Sequence, residues 1–321
     1  MSLETRDCTL SKAQTDAIER GLARIGAEES LVIVTNDLQT SVRDHFSHDA
    51  RYASYSTSRG GGQVAAKTVT HSSGPAIFID HELFNLATID ANERLLAHEG
   101  GHVVAARKGE EFVSRHHMVG SQEEYDLLAS VGIAIEEFRI ERELADMGYE
   151  EGPMGHIDSM GWMLHTTSVD LLTALLDPEA GADPAVLREK VTSVLADFVK
   201  VLGYAAGAVV AKLAGQFPVD RLDKHGVDNW DDYVGDHWAA LVNILSDIPG
   251  IGTPMTDVEI EGALARSLDW YVQWMGRVGF TLNVGVDGVS FLRSSTDDLW
   301  TARLQRAAAE NALREVQEDV S

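Results

Sequence analysis

The sequence predicts an α+β protein with a first part of mixed strands and helices and a mostly helical second part. Three observations lead there. Short runs that read as strands fall among the first 90 residues and once near 280–293. Apolar positions at helical spacing dominate from residue 89 onward. The pentad His98-Glu99-Gly100-Gly101-His102 stands inside the first of the long helical patterns. The expected division is residues 1–150 for a metal-binding and catalytic unit and 151–321 for a mostly helical unit.

The elements follow in order. Residues 11–25 place Ile18, Leu22 and Ile25 on one helical face, and LVIVTN at 31–36 reads as a strand. A three-glycine loop at 60–62 opens a weakly alternating segment, a strand or hairpin. PAIFIDHELF, 75–84, reads as another strand. Asp90 with Glu93 resembles a capping box, starting a helix that runs to Lys108 and stops at Gly109. A second long helix runs from about Ser121 to Gly148, and EGPMG at 151–155 breaks the chain. Further helices are expected near 159–176, 184–214, 231–246 and 256–276, then a hairpin around Asp287-Gly288 and a closing helix at 296–318. Trp270 and Trp274, one turn apart, read as helical core.

Composition excludes several functions. There are 26 Lys+Arg against 51 Asp+Glu, a net charge of -25, so nucleic acid and anionic membranes are not expected partners. Cys8 is the single cysteine, which rules out an internal disulfide and a multi-cysteine metal site. The apolar stretch Val201 to Ala211 is too short to span a bilayer and reads as a buried helix. No signal peptide is visible at the start, and the expected location is the cytoplasm.

The pentad carries the chemistry. Residues i and i+4 project from one face of a helix, so the imidazoles of His98 and His102 can converge on one ion. Glu99 flanks that face and can reach an ion-bound water without binding the ion. Two glycines in a helix interior cost about 1 kcal/mol each relative to alanine, which suggests close packing of bare backbone. Zinc needs a third protein ligand. The second long helix offers EEFRIE, 136–141. At about 100° per residue, Glu137 falls between two apolar sectors, with Glu141 one turn later, while Glu136, Arg139 and Glu143 gather on the polar side. A carboxylate among apolar residues needs a partner. Glu137 leads as third ligand, Glu136 is the alternative, and Glu141 would accept from a ligand imidazole. Without a metal, Arg107 or Arg142 would pair with Glu137 and Glu141.

These residues resemble the gluzincin metallopeptidases over roughly residues 75 to 150. That resemblance implies a strand, an HExxH helix and a downstream glutamate helix. It also implies Zn2+ on His98, His102 and the helix-borne glutamate, with Glu99 as general base. Thirty-four residues separate His102 from Glu137, and Glu137-x-x-x-Glu141 approximates the family's E-x-x-x-D. EEFRIER also resembles the E-D-x-R-I-E segment of bacterial and phage proteins with a metallopeptidase motif, a register that favours Glu136. The implied activity is hydrolysis of a peptide or protein substrate, with Tyr149, His156 or His165 as candidate donors to the oxyanion. Two alternatives stand beside it. One is a zincin-fold binding or regulatory protein with little turnover. The other is an acidic helical interaction protein in which the pentad is accidental.

Overall fold

A computed structural model describes residues 1–46, 55–59, 62–71, 74–150, 157–285, 288–293 and 297–318. It is a mixed α+β structure, with a four-stranded sheet in the N-terminal part and a mostly helical C-terminal part. Contacts divide the chain into two units, each discontinuous in sequence. The first is Met1–Glu111, Ile140–Glu150 and Pro249–Met255; the second is Phe112–Arg139, Glu151–Ile248 and Thr256–Ser321.

In the first unit, β1 (Ser2–Arg6), β2 (Leu31–Thr35), β5 (Ala66–His71) and β6 (Gly74–Asp80) form one sheet in the order β1-β2-β6-β5. The first three in that order run parallel, and β5 is antiparallel to β6. Strand side chains alternate between faces. Val32, Val34, Ile77 and Ile79 pack on one side against α1 (Lys12–Ile25) and α4 (Ile89–Lys108). Ile33, Ala76 and Phe78 pack on the other side with residues of α2 (Leu38–His45). Burial on both faces explains why these strands read as apolar runs. The short strands β3 (Ser58–Arg59) and β4 (Gly62–Gln63) pair with each other. Gly60 and Gly61 of the three-glycine loop lie outside the described residues.

Two expectations are corrected here. The run PAIFIDHELF is a strand only to Asp80, whose side chain caps a short helix, α3 (His81–Leu86). An apolar run does not itself distinguish strand from helix, and the aspartate decides. The N-cap of α4 is Thr88, whose hydroxyl accepts from the Ala91 N–H, and not Asp90. Glu93 is therefore free of capping. It pairs with Arg20 at 2.7 Å and accepts from the Tyr149 hydroxyl at 3.1 Å. Gly109 ends α4 at φ 70°, a left-handed conformation that favours glycine.

Helix α5 (Gln122–Asp146) is continuous, and its residues from Ile140 onward belong to the first unit. The second unit adds α6 (Met160–Leu176), α7 (Pro178–Ala182), α8 (Pro184–Lys212), α9 (Lys224–Tyr233), α10 (His237–Ser246), α11 (Asp257–Val278) and α12 (Asp297–Glu318). Strands β7 (Phe280–Gly285) and β8 (Gly288–Arg293) form the expected hairpin, with Asp287 outside the described residues. The single helix expected at 231–246 is two. They part at Gly235, φ 43°, where an added Cβ would lie 2.9 Å from the Asp231 carbonyl oxygen. Trp270 and Trp274 are core as expected: their rings stack at 5.5 Å, and Trp274 is fully buried. By length and composition α8 could cross a membrane, but Leu195, Phe198, Leu202 and Val209 are buried within this unit.

Candidate metal centre

The site grows from α4. Its i,i+4 spacing sets the His98 and His102 rings edge to face, with centroids 5.2 Å apart. The two glycines between them are explained by packing. A Cβ on Gly100 would lie 2.6 Å from Ile25 Cγ2, and one on Gly101 would lie 2.8 Å from Ile140 Cγ1. Bare backbone at these two positions brings α4 against α1 on one side and against α5 on the other.

That approach places the acids of α5. Glu141 Oε1 lies 2.9 Å from His98 Nδ1, and its other oxygen accepts from Arg94. With Nδ1 held by a carboxylate, His98 Nε2 is the nitrogen left to face an ion. Glu137 stands one turn before Glu141 on the same helix. Ligand atoms of His98, His102 and Glu137 all lie within 4.8 Å of one another. Side chains this close can converge on one ion by a small adjustment, to bonds of about 2.0–2.2 Å to nitrogen and oxygen. Glu137 is 2% exposed and ion-paired with Lys200 at 3.0 Å.

Glu99 is buried, and its Oε2 accepts from the Thr68 hydroxyl at 2.6 Å. The same hydroxyl lies 2.9 Å from the Glu99 carbonyl oxygen. Burial pushes the Glu99 carboxyl up; His102, His98, Lys67 and the Thr68 hydroxyl outweigh it and hold the group below the usual carboxylate range.

Thr68 belongs to β5, the strand beside Glu99. Strand β6 lies inside the sheet, between β2 and β5. Strand β5 is the sheet edge. Asp80 N–H donates to the Ala65 carbonyl at 2.8 Å, so in this antiparallel register the odd-numbered residues of β5 bond to β6. Ala66, Thr68 and Thr70 turn their backbone groups the other way, and among the described residues no strand pairs with them.

No family model matches the chain, and neither a curated protein nor a solved structure matches it.

The remaining site candidates are placed as follows. Glu136, next to Glu137 and half-buried, is not in the donor group. Tyr149 donates to Glu93 and lies under the Arg24 guanidinium, 4.1 Å from ring centroid to Cζ. Burial and then the Glu93 bond push its phenol up to about 12. His156 lies outside the described residues. His165 is buried in α6 and is not in the donor group. Arg139, expected on a polar face of α5, is fully buried with its guanidinium 5.7 Å from the Phe112 ring centroid. The face argument fails there because α5 is enclosed on more than one side. Lys200 pairs with Glu137, and Arg94 pairs with Glu141.

Sequence reasoning missed Thr68, Arg94 and Lys200. Thr68 and Arg94 leave no pattern beyond a strand residue and a helix-surface cation. Lys200 does leave one: it is the only charged residue between Phe198 and Ala211.

Proposed function

We propose that the chain is a zinc-dependent metallopeptidase of gluzincin type. The observation that carries this reading is the joint arrangement on α5. Glu141 orients His98 from one turn, and Glu137 joins His98 and His102 in a single donor set from the turn before. Two neutral imidazoles and one carboxylate suit zinc and leave a position for water. Bound there, zinc lowers the pKa of that water to about 7 and polarises a carbonyl oxygen.

The chain's own residues supply the rest. Glu99 sits one residue from the first ligand and takes the proton of the attacking water, then gives it to the leaving amine. Thr68 holds Oε2 of Glu99, which fixes the carboxylate for that exchange. The edge of β5, which no strand covers among the described residues, can receive an extended peptide by main-chain pairing, which would set its scissile bond beside α4. A second reading, a zincin-fold binding protein with little turnover, needs only the same donor set.

Glu99→Gln separates the two. As a peptidase, the wild-type chain with stoichiometric zinc cleaves members of a diverse peptide library, and E99Q loses cleavage while keeping its zinc. Zinc-loaded wild type that cleaves nothing leaves the binding protein.

A further inference from the structure

Lys200 is a cation placed on the carboxylate that completes the donor group. Its Nζ lies 3.0 Å from Glu137 Oε1, and its ammonium lies 5.3 Å from the Tyr204 ring centroid. The placement is built by backbone packing. A Cβ on Gly203 would fall 2.3 Å from the Ala134 carbonyl oxygen, so α8 meets α5 there backbone to backbone. Lys200 is one turn from Gly203, and Glu137 is one turn from Ala134. The glycine contact therefore fixes the register that brings the ammonium onto the carboxylate.

We propose that Lys200 is a built-in counter-cation that competes with the metal ion for Glu137. Ion loading is then an exchange of ammonium for metal on one buried carboxylate. The inference rests on reading His98, His102 and Glu137 as a metal site. Its physical basis is charge. A buried carboxylate without a cation is costly, so the ion-free protein needs Lys200 where it is. Two cations drawn to one carboxylate repel each other, and the repulsion is weakly screened in a buried setting. Lys200 thus offsets the buried charge of Glu137 and sets how tightly the ion is held.

The test uses the full chain and Zn2+ in a chelator-buffered titration. K200M, which keeps the stem and removes the charge, should bind Zn2+ about ten-fold or more tightly than wild type and melt lower when ion-free. K200R, which keeps the charge, should stay within about three-fold of wild type in affinity. Zinc affinity in K200M equal to or weaker than wild type overturns the competition while leaving the metal site standing. No zinc binding by wild type overturns both. A second measurement needs no variant: Zn2+ should speed acylation of Lys200 in the wild-type chain, read by peptide mass spectrometry. A labelling rate unchanged or slowed by zinc contradicts the exchange, whether or not K200M folds.

Discussion

Gly101→Ala tests the packing that sets the ligand spacing, because two physical terms give it opposite signs. Helix propensity alone favours alanine by about 1 kcal/mol. The structure opposes it: the new Cβ would meet Ile140 Cγ1 at 2.8 Å, Cγ2 at 2.9 Å and Cδ1 at 3.1 Å. Ile140 is fully buried and β-branched, so it has few rotamers into which to retreat. Overpacking of this kind costs about 1–3 kcal/mol, so the net expectation runs from near neutral to a loss of about 2 kcal/mol. Denaturant unfolding of the ion-free chain reads the loss directly, and the second site makes the test specific. Ile140→Val keeps both γ carbons, the two closest atoms, so the Gly101→Ala loss should persist in that background. Ile140→Ala removes all three atoms at a cost of its own of about 2–5 kcal/mol. In that background Gly101→Ala should become neutral or stabilising, a coupling of about 1–3 kcal/mol. If Gly101→Ala instead stabilises the otherwise wild-type chain by about 1 kcal/mol, α4 does not meet α5 as described.

Three further outcomes follow from the site and its surroundings. Glu141→Gln should weaken Zn2+ binding about 10- to 100-fold, because the orienting charge behind His98 is gone; chelator competition measures it, and unchanged affinity would remove Glu141 from that role. Thr68→Val should destabilise the ion-free chain by about 1–3 kcal/mol by stripping a donor from the buried Glu99 carboxylate, and Thr68→Ser should recover most of the loss; valine as stable as threonine would contradict the contact. Burial pushes the Glu93 carboxyl up, but Arg20, Tyr149 and Arg24 outweigh it and hold the group below its usual range in the folded state. Its stabilisation is therefore complete above the unfolded value and is lost as pH falls through the folded one. Glu93→Gln should lower the melting temperature at neutral pH and converge with wild type in acid, whereas parallel profiles would refute the assignment.

Much of this was legible because it is written locally. The i,i+4 histidines fix their own geometry once a helix forms, and Gly109, Pro184 and the 280–293 alternation mark their boundaries with chemistry that acts over a few residues. The glycines of the pentad signalled a close approach, although not that Gly100 would face α1 and Gly101 would face Ile140. What escaped is tertiary. Asp80 turns a promising strand into a helix within one residue. Strand order makes β5 the edge, although β6 has the stronger strand sequence. The helical wheel of α5 singled out Glu137 yet exposed Arg139, because a wheel has one inside and α5 is covered on several. Lys200 lies 63 residues from Glu137 in sequence, so only its isolation in an apolar helix hinted that it needed a carboxylate.

The central claim is a single ion held jointly by His98, His102 and Glu137. Anomalous scattering at the zinc edge, on crystals of the chain grown with one equivalent of Zn2+, tests it most directly. One full-occupancy peak is expected, bonded to His98 Nε2, a His102 nitrogen and a Glu137 oxygen, with His98 Nδ1 still on Glu141. A fully folded chain with no peak there, or with the ion bound elsewhere while Glu137 stays on Lys200, would contradict it.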